Sequence, residues 1–156
     1  MDNREAIGSW LSGPRATAEN MGADFGHPGE RLGLPQDGPG SIASFGRRLG
    51  ALFIDWAVAA LIGYGLLANG ELRTANNWAL AVFLLMSLLT VGTVGCTPGK
   101  RILGLRVVSV DGLTRLALWR VAVRTVLLGL AVPALVWDRD GRGLHDRLSG
   151  AVQVRT

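Results

Sequence analysis

One carboxylate lies inside the first long apolar run of the sequence. Asp55 is the only charged residue between 49 and 68, and Arg48 lies seven residues before it, about 10 Å away along a helix axis. An ionised Asp at mid-membrane costs about 2.5–3.5 kcal/mol on insertion scales, so it must be neutral, paired or beside water. Ala51 and Ala59, four residues on either side, allow another helix to approach that face closely. We therefore expect Asp55 to face protein rather than lipid.

Two roles fit such a carboxylate. Arg124 is about one turn inside a later apolar segment, at a similar expected depth, and is a candidate partner together with Arg48. In the first role Asp55 exchanges protons or ions, and one of these arginines tunes its affinity, as in a small transporter. In the second role the same residues are structural and hold helices together in a membrane adaptor or assembly protein that transports nothing. The sequence alone leaves both roles open.

Other kinds of chemistry find little support in the composition. One Cys and two His cannot build a multi-Cys zinc site or a His-rich metal centre, so we expect no metal and no cofactor. His145 stands next to Asp146 but has no nucleophile at a suitable spacing. The stretch GCTPGKR (95–101) is not a phosphate-binding loop, because Val94 stands where that loop requires Gly and Arg101 stands where it requires Ser or Thr. We therefore expect that the protein is not an enzyme.

Three apolar segments must position these charges. Residues 49–68 and 78–96 are 20 and 19 residues long and carry one charge between them. As helices they reach about 30 Å, the thickness of the hydrocarbon core. Residues 121–137 form a shorter segment with Arg124 near its start and Pro133 inside it. Because 49% of the chain is apolar and 18% charged, we predict an all-α integral membrane protein with two to three transmembrane helices.

Basic residues in the loops indicate the orientation, because positively charged loops stay in the cytoplasm. Residues 97–120 carry five Lys or Arg, whereas residues 69–77 carry only Arg73. We expect a multi-pass protein of the cell (inner or plasma) membrane with a cytoplasmic N-terminus. Residues 138–156 also carry four Arg, which conflicts with three full crossings. A re-entrant or bent third segment resolves this conflict.

The remaining chain predicts a tail and a small β-structure. Residues 1–44 hold eight Gly, four Pro and no long apolar run, so we expect a disordered cytoplasmic tail before a membrane domain at 45–156. Residues 106–116 place β-branched residues before Asp111 and Gly112, a turn typical of a short β-hairpin. Residues 151–155 could form a third strand and pair with 106–110, which requires both segments on one side of the membrane.

The expected partners follow from the same pattern. The lipid bilayer comes first, and the basic loop at 97–120 suits anionic headgroups. Nucleic acid is not expected, because membrane topology already accounts for the positive charge. A transporter would be a homo-oligomer, since three helices rarely enclose a pathway. An adaptor would recruit an unidentified protein partner through its tail or its basic loop.

Three stretches of the chain share a pattern with a known family: RRLGALFID (47–55), TPGKRILGLRVVSVDG (97–112) and LHDRLSGAVQV (144–154). Together they resemble the RDD family of bacterial membrane proteins, named for one Arg and two Asp, over roughly 45–156. The resemblance implies that Arg48 is the family's Arg and Asp55 its first Asp. It places the second Asp at Asp146, with Asp111 as the alternative. It also implies a multi-pass inner-membrane protein without an assigned reaction, for which transport of unidentified ligands has been suggested. The predicted polar site therefore consists of Arg48, Asp55, Arg124 and Asp146.

Overall fold

The structure of the protein is a computed structural model, and it describes residues 21–22, 26–68, 71–111, 115–130 and 142–156. In these ranges the chain is mostly helical, with one small sheet. The helices are α1 (Phe45–Ile62, continued by a π-helical turn at Gly63–Leu67), α2 (Leu72–Thr93), α3 (Pro98–Ile102), α4 (Leu118–Gly129) and α5 (Leu144–Leu148). The strands are β1 (Leu105–Ser109) and β2 (Ala151–Arg155), and a short 3-10 helix covers Glu30–Leu32.

The two long helices are each long and apolar enough to cross a membrane. One covers Phe45–Leu67, which has 23 residues, and the other covers Thr74–Thr93, which has 20. They pack closely because Gly63 lies against α2, where a Cβ would come within 2.7 Å of the backbone nitrogen of Ala79. Large apolar side chains cover much of their outer surface, including Phe53, Leu61, Leu85 and Leu89. Both long apolar helices predicted from the sequence are therefore present, although α2 ends before residue 96.

The sheet joins segments that are far apart in the sequence. β1 and β2 are antiparallel, with Leu105 opposite Arg155 and Ser109 opposite Ala151. This confirms the predicted pairing of residues 151–155 with 106–110. The hairpin predicted around residues 111 and 112 is wrong in its pairing, because β2 is the partner of β1 and residues 115–117 are not in a strand. Leu116 packs instead in a core cluster with Val91, Val107, Val121 and Ala151.

Residues 26–44 pack against the sheet. The amide of Ala43 donates to the carbonyl of Gln153 at 2.9 Å, so this segment lies along the free edge of β2. Leu34 is only 4% exposed and packs with Val108 and Val152. The prediction of a disordered tail through residue 44 is therefore wrong for 26–44. Its apolar residues are isolated in the sequence, and the strands that bury them come much later in the chain. Residues 1–20 and 23–25 lie outside the described residues.

The helix α4 packs along the second half of α2. A Cβ at Gly129 would lie 2.9 Å from Leu84, and one at Gly92 would lie 3.1 Å from Leu118, so the two helices run antiparallel. At about 18 Å, α4 is too short to cross a membrane. The rest of the predicted third segment, residues 131–137, lies outside the described residues. The chain from residue 142 onwards is found where α1 begins, at the same end as β1. We call residues 29–43, 98–109 and 144–155 the cap.

Candidate functional site

The carboxylate of Asp55 is bound by the first turn of α3. It is 1% exposed, and it accepts hydrogen bonds from the Thr97 hydroxyl and, at 2.7 Å, from the amide of Gly99. The ammonium of Lys100 lies 3.8 Å from Oδ2 of Asp55, which makes a looser ion pair. Gly99 permits this approach, because a Cβ at that position would clash with the carbonyl oxygen of Ala51. Asp55 thus joins the middle of α1 directly to the cap.

The sequence of α3 explains why these groups converge. Thr97 is the N-cap residue, and its hydroxyl accepts from the amide of Lys100 at 3.4 Å. Pro98 follows at the start of the helix, where its missing amide hydrogen costs nothing. The Lys100 side chain folds back to within 3.3 Å of the same hydroxyl. One hydroxyl therefore holds both the α3 backbone and the buried ammonium next to Asp55.

Lys100 is a buried cation at 5% exposure. Burial, together with the charge of Arg124, lowers its pKa to about 8, although the carboxylates of Asp55 and Asp146 act in the opposite direction. The side chain therefore loses its proton within an accessible pH range, unlike an ordinary lysine. Lys100 is not among the residues that the sequence predicts for the site. A Thr-Pro pair is a helix-start signal and could have indicated that residues 97–100 form a separate turn with its own packing face.

A second buried ion pair joins α4 to α5. Nε of Arg124 lies 2.7 Å from Oδ1 of Asp146, and the two side chains are 1% and 0% exposed. The amide of Gln153 donates to Oδ2 of Asp146 at 2.6 Å, and Nε2 of His145 lies 3.3 Å from Oδ1. Burial alone would raise the pKa of Asp146. The nearby charges, chiefly Arg124, and the bond from Gln153 outweigh burial and hold that pKa well below its usual value.

Arg48 belongs to the same group of charges. It is 6% exposed, and its charge acts on Asp146. Lys100 interacts electrostatically with Asp55, Arg124 and Asp146, and so connects the two ion pairs. We call these five residues the buried charge cluster: Arg48, Asp55, Lys100, Arg124 and Asp146.

The four residues predicted for the site are all buried. Arg48 and Arg124 are the candidate partners that the sequence offers for Asp55, and of these Arg124 forms its ion pair with Asp146. The reason is that α3 occupies the surface of α1 at Asp55 and supplies the partners there. Asp111, the alternative second Asp of the resemblance, is on the surface, where it binds Arg120 at 2.6 Å.

The two carboxylates of the cluster are bound by groups of the protein itself. No group of three His, Cys, Asp or Glu suited to a metal ion occurs in the part of the chain that the structure describes. Each carboxylate already accepts bonds from protein groups, so neither is open to a ligand without rearrangement. Lys100 adds a buried ammonium whose pKa is lowered to about 8. What the arrangement does directly is to tie α1, α3, α4 and α5 together at the cap.

Two apolar helices of membrane-spanning length, joined to a polar cap through buried charges, are consistent with a small helical membrane protein. The family model described as the RDD family matches residues 42–150, and the chain belongs to the RDD family. This confirms the resemblance seen in the sequence, and the family itself suggests a membrane protein. The three positions implied by that resemblance, Arg48, Asp55 and Asp146, all lie in the buried charge cluster. No curated protein and no solved structure matches the chain significantly.

Proposed function

We propose that the protein is a multi-pass protein of the cell membrane that serves as a non-transporting adaptor or assembly factor. In this proposal the buried charge cluster is a lock that fixes the cap to the two spanning helices. One observation carries it: each carboxylate is fully buried and receives its bonds from a different segment of the chain. Buried carboxylates that are bonded from several elements favour the one arrangement of those elements that supplies the bonds.

Charge supports a cytoplasmic position for the cap. Arg47, Arg101, Arg106 and Arg147 are exposed at the cap end of the helices. The sequence between the two spans carries only Arg73. Since basic residues stay in the cytoplasm, both the start of α1 and the C-terminal strand are assigned to that side. The exposed arginines then offer a surface for anionic lipid headgroups or for an acidic protein partner.

The substitution Asp55→Asn tests the proposal. An amide cannot accept from both Thr97 and Gly99 without turning its NH2 group toward one of them, and it leaves Lys100 without its closest counter-charge. We expect a lower folded yield and a lower unfolding temperature in detergent. The matched control is Asp111→Asn, at an exposed pair, which should behave like the wild type. Normal folding of Asp55→Asn with loss of a measurable ion flux would contradict the proposal.

A second candidate function is proton or ion transport, which Lys100 specifically favours. Its pKa of about 8 lets it release a proton beside Asp55 near physiological pH. Such a transporter would be a homo-oligomer, because two spanning helices do not enclose a pathway. Proton flux in proteoliposomes should then fall in Lys100→Met and persist in Arg101→Met, which replaces the exposed neighbouring cation. Equal flux in both variants would count against transport.

A further inference from the structure

The outer side of α4 is apolar and largely exposed in the described structure. Leu118, Trp119, Val126 and Leu130 are between 63% and 71% exposed. The opposite side of the helix is buried and includes Val121, Arg124 and Thr125. Arg124, the charged residue in the middle of α4, is buried and forms an ion pair with Asp146, so it does not lie on the outer side. A single helix of 12 residues thus presents a continuous apolar face.

The packing of α4 on α2 indicates how deep this face would lie. Leu118 is beside Gly92, close to the cap end of the span Thr74–Thr93. Gly129 is beside Leu84, which is near the middle of that span. The helix is about 18 Å long, and half of a hydrocarbon core is about 15 Å. If α2 crosses the membrane, α4 begins at its cap-side surface and ends near its centre.

The first turn of α4 carries groups suited to a membrane surface. Arg120 binds Asp111 at 2.6 Å and lies over the ring of Trp119, with its Cζ 5.3 Å from the ring centroid. Trp and Arg concentrate at the level of lipid headgroups, where an apolar body meets water. The last turn carries no charge and ends in exposed Leu130. The helix is thus polar where it would meet headgroups and apolar where it would meet acyl chains.

We propose that α4 is a half-membrane helix whose outer face binds the acyl chains of the cap-side leaflet, with Leu130 near the bilayer centre. This inference rests on the proposed membrane insertion of α1 and α2. Lipid is the occupant that fits, because the face is continuous in depth with exposed Leu85 and Leu89 of α2. Asp146 lies beside Arg124, so the described chain from residue 142 onwards is again on the cap side of Leu130.

The test uses the full-length protein in phosphatidylcholine–phosphatidylglycerol liposomes. Single spin labels are placed at Leu118, Val126 and Leu130 in a Cys96→Ser background, and collisions with oxygen and with a water-soluble nickel complex are compared. We expect the oxygen-to-nickel ratio to rise stepwise along α4, and Leu130 to match a label at Leu85. Equal low ratios at Leu118 and Leu130 would overturn the inference and place the helix in the headgroup layer. Spin–spin broadening at Val126 would overturn it in favour of a second copy of the chain.

The control at Leu85 separates this inference from the proposed function. If Leu85 and Leu130 are both open to nickel, membrane insertion itself fails. If Leu85 is deep and Leu130 is shallow, only the half-membrane helix fails. A second measurement needs no substitution. Phospholipids that carry a photoactivated carbene precursor at the acyl-chain end should label Val126 and Leu130 in the wild-type protein. Labelling confined to α1 and α2 would contradict the inference.

Discussion

The substitution Asp146→Asn removes the central acceptor of the second buried ion pair. Asp146 is 0% exposed and binds Nε of Arg124 at 2.7 Å and the Gln153 amide at 2.6 Å. Nη1 of Arg124 has no hydrogen-bond partner among the described residues. An asparagine has nearly the same size, so no cavity forms and the packing is preserved. What changes is that Arg124, itself 1% exposed, loses the carboxylate to which it is bonded.

The expected loss follows from this burial. Removing one partner of a buried pair costs about 3–5 kcal/mol, because a charge stays in the low-dielectric interior without compensation. The chain contains a matched exposed pair, Arg120 with Asp111, at a similar distance of 2.6 Å. Since Asp111 is 70% exposed, Asp111→Asn should cost less than about 1 kcal/mol. The two variants differ in burial rather than in chemistry.

The free energy of unfolding of the full chain in micelles measures this difference, with tryptophan fluorescence as the signal. The double variant Arg124→Met, Asp146→Leu should lose less stability than the sum of the two single variants, because it leaves no lone charge. Equal losses for Asp146→Asn and Asp111→Asn would show that burial does not set the cost of losing the carboxylate. So would additive effects in the double variant.

Three further predictions test other parts of the structure. Gly99→Ala should lower the free energy of unfolding by about 1–3 kcal/mol, because the added Cβ overlaps α1. The control is Gly65→Ala, where no atom lies close to the added Cβ, and it should leave the free energy of unfolding unchanged in the same denaturation assay. Lys100 is the only lysine, so isotope-labelled lysine should give one NMR titration, centred near pH 8. Because that pKa is lowered on folding, the free energy of unfolding should rise between pH 8 and 10, and this rise should be absent in Lys100→Met. An NMR titration midpoint near 10.5 would contradict the burial of Lys100. Leu34→Ala should lower the free energy of unfolding by about 2–5 kcal/mol, because core packing is lost. Met21→Ala, at an exposed position, should leave it almost unchanged. Equal unfolding temperatures of the two variants would show that residues 26–44 do not contribute to the cap.

Some of the fold could be predicted from the sequence because its signals are local. The long apolar runs predict α1 and α2, since twenty apolar residues have few other stable environments. The pairing of β2 with β1 was also predictable, from β-branched residues and the side on which both segments must lie. Asp55 is the only charged residue between 49 and 68. Its burial can therefore be predicted from the sequence, although its bonding partners cannot.

The rest depends on contacts between distant segments. Thr97 and Lys100 bind Asp55 although they are more than forty residues away in the sequence, and no periodic pattern predicts such a contact. Arg124 had two carboxylates within plausible reach, and only the position of α5 decides for Asp146. Leu34 resembles a stray apolar residue in a tail until the sheet that buries it is assembled. In each case the missing information is the tertiary arrangement rather than the residue type.

If the buried charge cluster locks the cap to the helices, breaking one of its bonds should loosen the sheet. Amide hydrogen exchange in lipid bilayers measures this, with β1 and β2 as reporters in wild type, Asp55→Asn and Asp111→Asn. Asp55 lies on α1 and is not part of the sheet, whereas Asp111 is two residues beyond β1. We predict that Asp55→Asn accelerates exchange in both strands and that the nearer but exposed Asp111→Asn does not. Unchanged protection of both strands in Asp55→Asn would contradict the account.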